Sequence, residues 1–571
     1  MSKIVAMQIK NFRKFENFYA VFGNRNVICL IGRGDSGKSS VLDALSYCLS
    51  PSWIIPVSDY DFHNCDVSQS IEISVVITEP PEDFSLMNKY AMYYSGWNEE
   101  KHQIVDATDN GCIPALLIVL TIDSTLEPKW EVVNHTSKER ISISAKDRAR
   151  LNVYMVADYV NSHFAWASGS PLNILSRSAG ESIDSESLLT VMRNVREASK
   201  NLNFGNFSDL LGSVEQHAMG LGLKVEKLSP AFDMKKLAVK EGTVCLHDDN
   251  GLPLRLMGKG SRRLMSIAIQ SAASNGGGIT LIDEIEQGLE PDRVNNLVHS
   301  LKQNTIGQFI FTTHANEALV EMDAEDVFWL RDGGTPVVFT KDMQGLLRKN
   351  PSAFFGRKVL LCEGQTECGF CRALNDFFVK DGARPCASVG VTIVNGGGNE
   401  FLHYAELFAT LNVPCLLFCD SDEDNANQQK SILKDHGIRI VDWDAGDSLE
   451  EGVYKDVPDC GVIELNKLAL RIKSNDNDAD LVAAKESITT LVKNKMTEVT
   501  ESMLFGEQAT FSIDLRKAIG AAAKGKKGTW FKSIRGGFCV GNIVCGLYDQ
   551  LPLKGRVRTN IEMIREWIYD V

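Results

Sequence analysis

Two groups of residues in this sequence have the types and spacing for phosphate chemistry. The first is Gly32-Arg33-Gly34-Asp35-Ser36-Gly37-Lys38-Ser39-Ser40, which follows the apolar run Val27–Ile31. Gly32, Gly34 and Gly37 let the chain turn its N–H groups inward on phosphate oxygens, with Asp35 and Ser40 on the same turn. Lys38 has the reach for β- and γ-phosphates, and the Ser39 hydroxyl suits Mg²⁺. The second group is carboxylate: Glu363 and Glu367 flank Gly364 closely, and Asp420-Ser421-Asp422 follows later in the chain. Such hard oxygen donors suit Mg²⁺, which takes few protein ligands and keeps several waters.

These residues need elements to hold them, and the sequence supplies candidates. Val27–Ile31 reads as a buried strand, and Val41, Leu42, Ala44 and Leu45 recur at core-facing helical spacing after the glycines. Ile279–Ile282 is another apolar strand, ending in Asp283-Glu284. At the phosphate end of a parallel sheet, Asp283 would support Mg²⁺ and Glu284 would polarise a water. Gln308–Thr313 is a third buried strand, with His314 where a γ-phosphate sensor would stand. Lys358–Cys362 and Pro414–Cys419 are apolar strands that run into Glu363 and Asp420, so their acids leave neighbouring strand ends together.

Around these lie Met7–Phe15, Ile71–Ile77, Leu116–Ile122 and Trp130–Val133, which alternate as strands of a β-rich first lobe. From Ala145 the pattern turns helical. Leu188, Val191, Met192, Val195 and Ala198 fall on one face of a helix over 185–201, and Leu210, Leu211, Val214 and Ala218 on a second. An apolar stripe of this kind is expected to be core, although an inserted helical pair also suits dimer contacts. Sheet-like residues resume over 242–247, and Pro351–Arg357 reads as a short linker.

At 571 residues the chain is too long for one core, which predicts several domains. Hydrophobic residues make 44% and charged ones 23%, with no long apolar run and no leader-like N-terminus, so a cytoplasmic protein without a membrane segment is expected. The net charge of −14 excludes a broadly basic coat and confines any nucleic-acid contact to local patches. The 14 Cys lack a disulfide-like framework and read as reduced thiols, Cys368 and Cys371 sharing a helix face.

With these motifs in order, the first 340 residues resemble the ABC-type ATPases of the RecF and SMC kind, in which two heads sandwich ATP. The resemblance implies a Walker A motif at Gly32–Ser39, a signature segment at Gly258–Arg263, a Walker B motif at Ile279–Asp283, catalytic Glu284, a D-loop at Gly288-Leu289-Glu290-Pro291 and switch residue His314. The signature departs from Leu-Ser-Gly-Gly-Gln, reading Met257-Gly258-Lys259-Gly260-Ser261, and Gln69 or the Asp59–Phe62 loop stand where a Q-loop is sought.

Glu363-Gly364-Gln365-Thr366-Glu367, then Asn395-Gly396-Gly397-Gly398-Asn399, then Asp420-Ser421-Asp422 resembles a Toprim domain. ATPase and Toprim in one chain are similar to the OLD-family nucleases, whose relatives act in anti-phage systems such as Gabija or as retron effectors. The resemblance implies an α/β chain divided as ATPase 1–150, helical insertion 151–235 with a possible dimerisation role, ATPase 236–350 and Toprim 351–571. It also implies two metals among the acids, Glu363, Asp420 and Asp422 holding one and Glu367 with Glu450 the other. Asp447 is the second choice for the late acidic motif, and a plain acidic loop is the other reading of that stretch. A late lysine completes the family's site: Lys532 is chosen from the cluster Lys524, Lys526, Lys527, Trp530, Phe531 and Lys532, which also reads as a phosphate-binding basic patch. The expected activity is a Mg²⁺- or Mn²⁺-dependent DNA endonuclease gated by ATP, acting as a homodimer or larger oligomer, with a helicase or retron-type partner. The alternative is a non-cutting RecF-like repair ATPase. A topoisomerase would also need a nucleophilic Tyr in a DNA-gripping region, and a primase a zinc module; neither pattern is found.

Overall fold

The computed structural model describes residues 2–81, 84, 89–157, 161–166, 170–178, 185–199, 208–220, 227–228, 244–273, 278–303, 307–331, 334–506, 508–525 and 530–570. The chain splits into two compact units. One comprises Met1–Leu30, Gly34–Met322 and Asp326–Pro336, the other Ile31–Arg33, Asp323–Glu325 and Val337–Val571. The division near residue 336 precedes the expected linker: Pro351–Phe355 is a 3₁₀ turn with Phe354 wholly buried.

The first unit holds two sheets. An antiparallel sheet contains β1 (Lys3–Phe12), β2 (Phe15–Val21), β4 (Ile71–Thr78), β5 (Ser95–Asn98), β6 (Gln103–Val105) and β7 (Ile113–Ile122) in the order β2-β1-β4-β7-β5-β6, and β8 (Pro128–Val133) pairs with both β7 and β9 (Arg140–Ser142). A second sheet joins β3 (Val27–Ile31), β10 (Val153–Val156), β11 (Ile279–Ile282), β12 (Gln308–Thr312) and β13 (Val327–Trp329) in the order β10-β11-β12-β3-β13. The pairs β10–β11, β11–β12 and β12–β3 are parallel. Every residue of β3, β11 and β12 is buried, as expected of strands covered on both faces. The β-rich first lobe expected from the sequence is the antiparallel sheet.

The helices Ser185–Ser199 and Ser208–Gly220 form as expected, but their stripe is not core: Val191, Val195 and Ala198 on the first and Leu210 and Val214 on the second are exposed, and Leu188 and Met192 are only half-buried. Their apolar spacing reports helix, and burial needs a facing surface that the described residues do not bring. Of the expected sheet-like stretch, residues 242–243 lie outside the described residues. Cys245 and His247 make isolated bridges to Ala165 and Pro253.

The second unit begins with β14 (Val337–Val338) and is built on a parallel sheet of β15 (Lys358–Cys362), β16 (Val391–Asn395), β17 (Cys415–Phe418) and β18 (Arg439–Val441), ordered β16-β15-β17-β18. The chain leaves β15 for β16 on one side, then crosses to β17 on the other. The strand order therefore reverses between β15 and β17, and the crevice at their carboxyl ends is where a ligand site is expected in an open α/β sheet. Register carries this to single residues. Cys362 pairs with Asn395 on one side and Phe418 on the other, so Glu363 and Asp420 emerge side by side.

Helix Gln365–Lys380, which carries Glu367, is fixed by close packing on helix Ile534–Gly546. The seam is made of glycines. A Cβ at Gly541 would stand 2.6 Å from Ala373 Cβ, and Cβ atoms at Gly369 and Gly537 would collide with the Ile534 and Thr366 carbonyls. All 14 cysteines are free thiols, and no helix among the described residues is long and apolar enough to cross a membrane. Gly537→Val should destabilise the second unit by about 1–3 kcal/mol or more, read as an earlier denaturant transition of that unit. A midpoint equal to that of the wild type would show that the helices do not meet on this seam.

Candidate functional site

The phosphate loop of the first unit is held from below by the β1–β2 hairpin. Gly37 caps helix Lys38–Cys48 at φ 95°, and a Cβ there would lie 2.5 Å from Phe15 Cζ, so conformation and space both require glycine. Lys14 Nζ donates to the Asp35 carbonyl over 2.5 Å. The helix has neither a side-chain N-cap nor an acid in its first turn, which leaves its N-terminal dipole to an anion.

Across from the loop, Asp283 is oriented on three sides. Its Oδ1 accepts from Ser39 Oγ at 3.1 Å and from Thr312 Oγ1 at 2.6 Å, and its carbonyl accepts from the Arg263 guanidinium. Thr312 Oγ1 also accepts from the Glu284 N–H at 2.7 Å, so one hydroxyl ties both acids to the end of β12. Glu284 has φ 49°, a left-handed conformation that a glutamate rarely adopts and that turns its side chain away from the strand direction. Glu286 accepts from Thr313 Oγ1 at 2.6 Å and from the His314 N–H at 2.7 Å, fixing the backbone of the expected switch residue. At the expected signature, Gly260 lies against Gly288, where a Cβ would strike the Gly288 carbonyl.

Lys38, Ser39, Asp283, Glu284 and His314 are thus brought together, with Gly32, Gly34, Asp35, Gly37 and Ser40 on the loop and first turn. Thr312 and Glu286 had no signal in the sequence, because their roles depend on which strand lies beside which; Arg263 was expected only as the end of the signature segment, not as a partner of Asp283. Lys38 is 3% exposed, and burial lowers its pKa to about 8, against the pull of Asp283, Glu284 and Glu286. Burial and the Lys38 charge lower the pKa of His314 as well. A phosphate needs the ammonium form, so nucleotide affinity should fall as pH rises through about 8, by up to about tenfold per pH unit. Titration of a fluorescent ATP analogue between pH 7 and 9.5 reads this directly; a flat profile, or the same slope in Lys38→Ala, would remove Lys38 from the explanation.

In the second unit a cavity of about 400 Å³ opens at the β15/β17 crevice, lined by Glu363, Glu367, Asp420, Glu450, the Asn395–Gly398 loop and Lys532. Three of the four acids are aimed by a main-chain donor. Glu363 Oε2 accepts from the Asp420 N–H at 2.9 Å, and Asp420 Oδ1 from the Leu449 N–H at 2.8 Å. Glu367 Oε2 accepts from the Gly364 N–H at 2.9 Å, closing the start of its own helix. Glu450 lies in the first turn of helix Leu449–Asp456, which Ser448 caps. The Gly398 N–H meets the Glu363 carbonyl at 2.8 Å, and Gly397 and Gly398 have φ of 75° and 81°, so the glycine loop needs that residue type to fold back along Glu363.

Burial is the largest cause raising the pKa of all four lining acids. Repulsion adds to it: Glu450 and Glu363 act on Glu367; Glu367, Glu450 and Glu363 on Asp420; and Asp422 on Glu363. Lys532 opposes the shift at Glu450. A cavity of oxygens that repel one another fits a divalent cation in donor type. No three His, Cys, Asp or Glu among the described residues stand in a finished ligand geometry, so the acids share the cavity without forming a closed shell.

Two expected metal ligands lie outside the lining. Asp422 is paired with Lys524 Nζ at 2.6 Å, and Asp447 with Lys455 Nζ at 2.5 Å. Of the expected basic cluster, Lys532 reaches the cavity, Lys524 bridges Asp422 and Glu451, Trp530 and Phe531 are buried, and Lys526 and Lys527 lie outside the described residues.

Three family models match the chain. Residues 2–140 match "AAA ATPase domain", 157–320 match "AAA domain, putative AbiEii toxin, Type IV TA system", and 354–422 match "Overcoming lysogenization defect protein-like, TOPRIM domain". Among solved structures, the chain is similar to an SMC head bound to the C-winged helix domain of ScpA (15% identity, 58% of this chain and 96% of that one, TM-score 0.34). It is also similar to the SMC head domain from Thermotoga maritima (14%, 59% and 99%, TM-score 0.27) and to the recombination mediator RecF with ATP (12%, 58% and 98%, TM-score 0.33). No curated protein matches the sequence. With AAA ATPase matches on both stretches of its first unit and an OLD-like Toprim match on the strands that carry Glu363 and Asp420, the chain matches an OLD-family ATPase–Toprim protein in its order of domains.

Proposed function

We propose that this chain is a metal-dependent DNA endonuclease, nicking or cutting duplex DNA, with cleavage gated by ATP binding or hydrolysis. One observation carries the reading: Glu363, Glu367, Asp420 and Glu450 line a single cavity with Lys532. Mg²⁺ or Mn²⁺ held there would supply an activated water and charge stabilisation on the departing 3′ oxygen. The chain's own part is to hold the acids and bind the phosphate. Glu363 and Asp420 are kept in register by the two main-chain donors already described, so neither is free to swing out of the crevice. Lys532 sets an ammonium against the phosphate as negative charge grows on it. Asp422 and Asp447 would join the ligand set by exchanging their lysine partners for the ion.

ATP, with its own Mg²⁺ on Ser39 and Asp283, would act at the phosphate loop, with Glu284 as the water-polarising base and His314 as sensor. Sandwiching the nucleotide requires a second head to offer Gly258–Arg263, which supports a homodimer or larger oligomer. The family setting adds bacterial anti-phage defence as the physiological role, with helicase-like or retron-type partners.

Plasmid cleavage with Mg²⁺ or Mn²⁺, with and without ATP, tests the reading. Glu363→Gln and Asp420→Asn should abolish cleavage, and Lys532→Met should slow it about 10²- to 10³-fold while DNA is still bound. Cleavage that persists unchanged in Glu363→Gln would sink the assignment.

A further inference from the structure

Behind the acid-bearing turn lies a cation that takes no part in the cleavage scheme. Lys430, on helix Asp424–Asp435, is 3% exposed, and a lysine so deeply buried is stable only where its ammonium is well partnered. Its Nζ donates to the Asp420 main-chain carbonyl and, over 2.9 Å, to Asn427 Oδ1; Ser421 Oγ is 3.4 Å away and Asp442 Oδ2 3.7 Å. The contact is to the carbonyl of Asp420, while the carboxylate of the same residue accepts from Leu449 on the cavity side. Lys430 therefore grips the back of the residue whose front lines the site.

The grip continues outward. Asp442 accepts from Arg556 twice, side chain at 2.6 Å and carbonyl at 2.8 Å, and its carbonyl accepts from Asn560 Nδ2 at 2.9 Å, both partners on the last helix, Arg556–Tyr569. The turn is sewn on its other side too. Ser421 donates its N–H to the Asp447 carbonyl at 2.9 Å, and its own carbonyl accepts from the Gly446 N–H and Asn427 Nδ2, each at 2.9 Å.

We propose that Lys430 is a positioning residue of the carboxylate site: its ammonium fixes the Asp420–Asp422 turn so that the Asp420 carboxylate meets the cavity, and Asp442 with Arg556 anchors that ammonium to the last helix. Its purpose rests on the cleavage reading, but its test does not. Two effects of removing Lys430 have opposite signs. Loss of a nearby cation makes the cavity more negative and tightens divalent-ion binding; loss of the grip lets the turn wander and weakens it. The sign therefore decides.

The full chain is titrated with Mn²⁺ by calorimetry, without DNA or nucleotide, the heat lost in Glu363→Gln defining the cavity's share. Lys430→Met should weaken that binding about 10- to 100-fold with thermal unfolding little changed. Lys430→Gln, whose amide can still donate to the Asp420 carbonyl, should lose less. Binding that is unchanged or tighter in Lys430→Met overturns the proposal, as does an equal loss in both variants. Failure of both variants to fold overturns it as well, since Lys430 would then hold the core and not the site. Should Mn²⁺ binding follow the expected order while the wild type cleaves no DNA, the positioning role stands and the endonuclease reading falls.

Discussion

The second unit is built around like charges held close together in a crevice. Four carboxylates at the β15/β17 switch point each lose hydration, and each raises the cost of ionising the next. Left to themselves such side chains would rotate apart into water. What prevents this is main-chain hydrogen bonding: the N–H groups of Asp420, Leu449 and Gly364 each hold one oxygen of a cavity acid. Backbone donors suit the task because they belong to strand ends and helix starts that cannot move without breaking the sheet. The glycine seam between helices 365–380 and 534–546 serves the same end, since Glu367 can face the crevice only if its helix lies this close to its neighbour.

Much of this was legible in the sequence wherever chemistry and local pattern coincide. The strands before Gly32, Asp283, Glu363 and Asp420 are short apolar runs, and a residue that ends a buried parallel strand must emerge at the sheet's carboxyl edge. Glu450 was reached only through the resemblance, as the preferred residue of the late acidic motif, and it lines the cavity. What could not be read was partnership between distant segments. Asp422 and Asp447 look as suitable as Asp420 by type, yet Lys524, far along the chain, and Lys455, in the last turn of the following helix, hold them. The stripe on the 185–199 and 208–220 helices misled for a related reason: amphipathic spacing says which face is apolar, and only a packing partner makes that face a core.

Thr312 shows how little side chain is needed once a sheet fixes the geometry. Its hydroxyl donates to Asp283 and accepts from the Glu284 main chain, so the strand pairing of β11 with β12 becomes an orientation of two acids. Glu284 holds its position with a left-handed backbone, a strain that a residue tolerates when its neighbours over-determine it.

The two acidic sites follow one topological rule and differ in how charge is balanced. At the phosphate loop, Lys38 is buried among Asp283, Glu284 and Glu286, so the resting site holds a cation of its own. At the Toprim cavity the acids outnumber their positive company. Lys532 faces them, Lys430 lies behind the turn, and Lys524 and Lys455 are occupied by Asp422 and Asp447. Burial and mutual repulsion raise the pKa values of the cavity acids together, whereas the acids of the first site face a buried lysine. The difference lies in placement: the buried cation of the first site stands among its acids, whereas the lysines of the second face the acids, lie behind their turn or pair with acids outside the cavity.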